Sequence, residues 1–140
     1  MIGETRIRDL TEDLLRYSTA DQTEIGIIAT ESALTRFANS AIHQNVLETN
    51  ADVRVRVVLG KKIGVATSNN LDPCSLRQLV DIAIALAERQ PENPDFVSLP
   101  HSKAIQKLNA CDVNTINCPP EARAEAVRLI CTPALDQGLT

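Results

Sequence analysis

Apolar residues return every three or four positions from Glu4 to Tyr17, at Ile7, Leu10, Leu14 and Tyr17, which predicts an amphipathic helix with one buried stripe. The period then changes to two. Glu24–Thr30 is short, β-branched and bounded by polar residues, as a strand is. Ala33–Ala38 and Ala41–Glu48 read as two more strands joined by Asn39 and Ser40, a pair suited to a tight hairpin although serine is a poorer second residue than glycine there. Thr49 and Asn50 read as another turn. The clearest alternation follows, with Val53, Val55, Val57 and Leu59 interleaved with Asp52, Arg54 and Arg56, so that one face is core and the other wet. Gly60, Lys61 and Lys62 form a hairpin loop, after which Ile63, Val65 and Thr67 alternate with Gly64 and Ala66. Small residues on that second face leave room for close approach by a helix or another chain.

Asp72 followed by Pro73 predicts a helix start, because the carboxylate caps exposed backbone N–H groups and proline is pre-set for the first turn. That helix runs to about Gln90, buries Leu76, Leu79, Val80, Ala83, Leu86 and Ala87, and is stopped by Pro91 and Pro94. Residues 91–120 read as an extended, proline-rich connection with a short strand near Ala104–Leu108. A last helix is expected from Pro119 or Pro120 through Ala122, Ala126, Val127 and Ile130, broken or kinked by Pro133 and stopped by Gly138. The fold class is therefore α+β, an antiparallel β-meander of about five strands with flanking helices. The organisation is an α+β domain over 1–97 followed by a link and the start of a further region over 98–140, with no internal repeat.

A chain of 140 residues, 44% hydrophobic and 23% charged, suits one folding unit. Aromatic residues are 2% of it and Trp is absent, so the core is aliphatic and base-stacking platforms are not expected. The net charge of -4 argues against nucleic acid, which draws on a basic footprint; Arg54, Arg56, Lys61 and Lys62 are the local exception and read more simply as a solvated strand face and hairpin tip. No apolar run is long enough to span a bilayer and the start resembles no secretory signal, which points to the cytoplasm. Cys74, Cys111, Cys118 and Cys131 are widely and irregularly spaced without a CxxC pair, as ordinary reduced thiols are.

Three features in order give the chain a family resemblance. Arg36 lies on a strand with Asn39 at the following turn. Val55, Arg56, Val57, Gly60, Gly64, Ala66 and Thr67 form a V-R-V-x-x-G hairpin with a G-x-A-T return. An asparagine-then-helix segment then leads to Gln90–Phe96. Together they resemble the N-terminal domain of the TldD/PmbA family of zinc metallopeptidases, also known as modulators of DNA gyrase. The match is good over residues 21–97 and loose beyond. It departs from the family's pattern at Ser40, where glycine is usual, and at Pro133.

The resemblance implies a two-part architecture in which a larger β-rich C-terminal domain carries an HExxxH helix, with two His as zinc ligands, Glu as general base and a later Cys ligand. None of that motif is in this sequence, whose histidines are His43 and His101. No cofactor is expected in this chain, zinc is expected in the C-terminal domain, and this chain by itself is expected to be inactive. The resemblance further implies a homodimer or heterodimer with a TldD/PmbA-type subunit enclosing an unfolded peptide substrate, this segment serving in dimerisation and enclosure. The alternatives are a segment of the non-catalytic partner subunit or a standalone binding module. A meander separated from its C-terminal domain exposes an apolar face or strand edge, which predicts self-association.

Arg36, Asn39 and His43 are the candidates for substrate or partner contact. A strand-to-turn arginine can pair with a peptide carboxylate or a partner's acidic group, and a strand histidine beside Gln44 and Asn45 can line a groove. The plainer reading is an exposed strand arginine, a turn asparagine and a surface histidine. Cys111 and Cys118 with either histidine make a zinc site only on paper. No Ser/His/Asp or Cys/His arrangement, P-loop or GxGxxG is present.

Overall fold

Two tight turns determine how the chain folds back on itself. Asn39 and Ser40 both take positive φ, 50° and 57°, the combination a two-residue type I′ hairpin turn requires. Gly60, at φ 60°, opens the second turn in the glycine-first pattern of type II′, and its N–H donates to Asp21 Oδ2 at 2.6 Å. The computed structural model describes residues 2–101, 103, 104, 106 and 108–139. Within them the turns separate three strands, β1 (Gln22–Ala38), β2 (Ala41–Leu59) and β3 (Lys62–Ser68), in a sheet of order β1-β2-β3.

Three strands replace the five expected. Thr49 and Asn50 do not turn, because neither takes the positive φ that a tight hairpin demands and both stay in β2. Glu31 and Ser32 likewise continue β1. Polar residues there interrupt the hydrophobic pattern without interrupting the backbone ladder, which pairs through N–H and C=O groups whatever the side chain. The helices are α1 (Glu4–Tyr17), α2 (Pro73–Arg89), α3 (Val113–Ile116) and α4 (Pro120–Asp136). The short strand expected near Ala104–Leu108 falls partly outside the described residues.

The chain forms two compact units, Met1–Thr30 with Thr49–Ser102, and Glu31–Glu48 with Lys103–Thr140. In the first, β2 and β3 pair antiparallel with Val55 opposite Ala66 and Val57 opposite Gly64. This register puts fully buried Val53, Val55 and Val57 on one face with the small residues of β3, beneath Leu76, Leu79, Val80, Ala83 and Ala87 of α2 and Leu10 and Leu14 of α1. The large residues of β3 point the other way, and Val65 is exposed. Gly64 is required here: a Cβ on it would run into the Ala83 carbonyl oxygen and lie 2.6 Å from the Ala87 backbone nitrogen. Leu86, expected in the core, is on the flank of α2 at 39% exposure.

Asp72 caps α2 by accepting from the Ser75 N–H at 3.0 Å, and Pro73 opens its first turn. Past its end, the Asn93 N–H donates to Lys61 O, Lys61 Nζ to Pro94 O, and the Leu99 N–H to Gln22 Oε1 at 2.8 Å. Tyr17 closes α1 onto α2 through its hydroxyl, which donates to Asp81 Oδ2 at 3.0 Å, with the Arg77 guanidinium 5.6 Å from the ring centroid.

In the second unit α4 runs through Pro133 without ending. The proline lies in the last turns, where one lost backbone bond leaves little helix to disrupt. The helix stops at Gly138, φ 70°, in a Schellman arrangement: Gly138 N–H donates to Leu135 O and Leu139 N–H to Ala134 O, both at 2.9 Å. The four-residue α3 was not anticipated; its signal is Asp112, whose carboxylate accepts from the Thr115 N–H at 2.7 Å and is thereby held below the ordinary value of 3.8.

Gly64→Ala is expected to destabilise the protein by about 1–3 kcal/mol through overpacking. Gly26→Ala, where an added Cβ meets nothing within 4 Å, is the control; urea midpoints compare them. The Asp81 hydrogen bond, then the burial and charge around it, raise the Tyr17 pKa above 10.0. A raised pKa means that the bond's stabilisation is complete below pH 10.0 and lost as pH climbs through the folded value. Tyr17 is the single tyrosine in a chain without Trp, so tyrosinate absorbance reads it directly. Its midpoint is expected above 10.0 and is expected to fall with Asp81→Asn.

Candidate functional site

Arg36, Asn39 and His43 cluster along the chain at the tip of the β1–β2 hairpin, because the Asn39–Ser40 turn folds their strands together. All three are exposed. Among the described residues no hydrogen bond or ion pair engages the side chains of Arg36 or His43, and nothing joins the three into a pocket. They form an accessible tip, not a built site.

The polar group the fold does assemble in this unit centres on Arg123, which the sequence reading did not single out. Its Nε donates to Thr35 Oγ1 at 3.1 Å, Nη1 to the Cys118 carbonyl at 2.7 Å and Nη2 to Asn45 Oδ1 at 3.1 Å. Thr35 Oγ1 also donates to Asn45 Oδ1 at 3.2 Å. A planar fork with five donors can hold three acceptors at once, so Arg123 ties the start of α4 to both strands of the hairpin. Below it, Val127 and Cys131 are buried beside Ile42 in a groove of about 250 Å³.

The first unit contains a cleft of about 440 Å³. Thr30, Thr49, Asn50, Asn69 and Asn70 give it an uncharged polar wall, and Ile2, Ala29, Ala51 and Leu71 an apolar floor. Asn50 donates to Asp52 Oδ2 at 3.1 Å, and Asn70 bridges the end of β3 to α2 through the Ser75 hydroxyl and the Asp72 N–H. Amides and hydroxyls both donate and accept, which suits a neutral ligand such as a peptide backbone. A second hollow, of about 510 Å³, lies on the open face of the sheet among Glu24, Ile28, Asp52, Arg54 and Thr67.

Three of the four basic residues singled out earlier have internal partners. Arg56 pairs with Glu24, Lys61 Nζ donates to Pro94 O, and Lys62 Nζ donates to Glu88 O at 3.2 Å. Among the described residues no three His, Cys, Asp or Glu side chains converge. Among those residues no helix is long and apolar enough to cross a membrane.

Residues 23–87, which hold the hairpin, β3 and most of α2, match the family model described as PmbA/TldA metallopeptidase domain 1. Residues 23–87 carry the first domain of the TldD/PmbA family. No curated protein matches it. Among solved structures it is similar to TldE from Thermococcus kodakarensis, with a TM-score of 0.81 and 15% identity over 94% of this chain. At that identity the likeness is one of fold. The chain spans 29% of the length of that structure.

Arg123→Lys is expected to keep the charge, lose the fork, and cost about 1–2 kcal/mol. Hydrogen exchange should quicken in residues 31–48 and 120–131 and stay unchanged in α2.

Proposed function

We propose that this domain serves subunit pairing and substrate enclosure in a TldD/PmbA-type metallopeptidase, with the zinc centre supplied by a separate domain of the family. The match of residues 23–87 to the family's first domain carries this reading. Unfolded peptide is the substrate class, met by the neutral polar cleft and by the hairpin tip, where Arg36, exposed and without a partner among the described residues, offers its guanidinium to a carboxylate. The likeness in fold to TldE favours a second reading, in which the chain is a segment of the non-catalytic partner subunit.

Light scattering of the purified chain is expected to give twice 15.2 kDa; a monomer throughout the micromolar range would overturn the pairing role. Anisotropy with a labelled unfolded peptide tests enclosure. Binding is expected to weaken with Arg36→Ala for the free-acid peptide and to change little for its C-terminal amide. Equal loss for both peptides, or none for either, would remove Arg36 from the contact.

A further inference from the structure

After α2 the chain passes from one side of the sheet to the other. Beyond Arg89 the Asn93 N–H donates to Lys61 O at 3.0 Å and Lys61 Nζ to Pro94 O at 2.9 Å, both on the turn between β2 and β3. The Leu99 N–H then donates to Gln22 Oε1 at 2.8 Å, at the start of β1. β2 lies between β3 and β1 in the sheet, so residues 90–99 cross the end of β2. Val58 is at that end and alternates with Val57, which places it on the face turned away from α2. It is 0% exposed, yet it is no part of the core beneath the helix.

We infer that residues 90–99 form a strap closed over Val58 on the outer face of the sheet, and that this strap opens as one piece while the core under α2 stays folded. It is lightly held. The strap has neither helix nor strand; only Phe96 and Leu99 within it are half-buried, and Val97 is 91% exposed. Its ties to the sheet are single hydrogen bonds at its two ends, the kind of attachment that opens at lower free energy than a packed core. Closure also has a cost. Next to Val58 along the outward side of β2, Arg56 Nε is buried with no acceptor among the described residues, while Arg56 Nη2 is held by Glu24. A buried donor without a partner opposes whatever shuts water away from it. Pro91 and Pro94 stiffen the backbone between the two attachments, so release of one end loosens the other. Opening uncovers Val58 and Arg56 and lengthens the hollow already present on the same face among Glu24, Ile28, Arg54 and Thr67.

Native-state hydrogen exchange of the whole chain, read residue by residue in low urea, tests the strap. The Asn93 and Leu99 amides are expected to share one opening free energy, below that of the α2 amides, and to depend weakly on urea because little surface is uncovered. Lys61→Met keeps the aliphatic stem and removes the bond to Pro94 O; it is expected to quicken both amides roughly fivefold, the loss of one hydrogen bond, with α2 unchanged. Arg56→Leu removes the unpartnered donor and is expected to slow both. Exchange of Asn93 and Leu99 together with α2, or with no protection at all, overturns the strap as a separate unit. An effect of Lys61→Met on Asn93 alone overturns its opening as one piece, and faster exchange in Arg56→Leu overturns the cost assigned to that side chain. Should either variant not fold, the wild-type profile decides by itself whether the strap opens apart from α2.

Discussion

Gly64 passes so close beneath α2 that no side chain fits between the strand and the Ala83 and Ala87 backbone. Everything in the first unit follows from that approach. It lets Val53, Val55 and Val57 reach the underside of α2, because antiparallel register places them beside Gly64 and Ala66 rather than beside the bulky Ile63 and Val65. A one-residue slip between the strands would either turn β3's large residues towards the helix or turn the valines of β2 towards water. With the helix fixed at that distance, the Asp72 cap and Asn70 hold the end of β3 against the start of α2, where the uncharged cleft opens.

The second unit is built on a different principle. Its hairpin segment has exposed residues along nearly its whole length, and its order comes from a polar clasp and one helix stripe instead of a deep core. Arg123 engages both strands at once, while Val127 and Cys131 supply the buried apolar contacts. Such a unit buries little and leaves much apolar surface, including Leu34, Phe37, Leu129 and Ile130.

What the local pattern carried was what depends on neighbours along the chain. The period of α1, the alternation of Val53 to Leu59, the Asp72–Pro73 start, the Asn39–Ser40 turn and the Gly138 stop are each set within a few residues by dihedral preference or capping. The resemblance built on Arg36, Asn39, the V-R-V hairpin and the following helix agrees with the family model that matches residues 23–87. The errors lie where local signals are ambiguous. Thr49 and Asn50 are turn-like residues inside a continuing ladder, and Pro133 is a breaker placed where little helix remains to break.

The sequence by itself determined the α+β class of fold, the positions of α1, α2 and α4, the two hairpin turns at Asn39–Ser40 and Gly60 and the kinship, because these rest on periodicity and on short-range backbone chemistry. Only the tertiary structure decided that β1 and β2 each run unbroken, that Arg123 clasps Thr35 and Asn45 some eighty residues away along the chain, and which stripe of α4 turns inward. Those outcomes depend on partners brought together from distant parts of the chain. An alanine or an isoleucine has no preference for the inside of a helix until another element covers one of its sides.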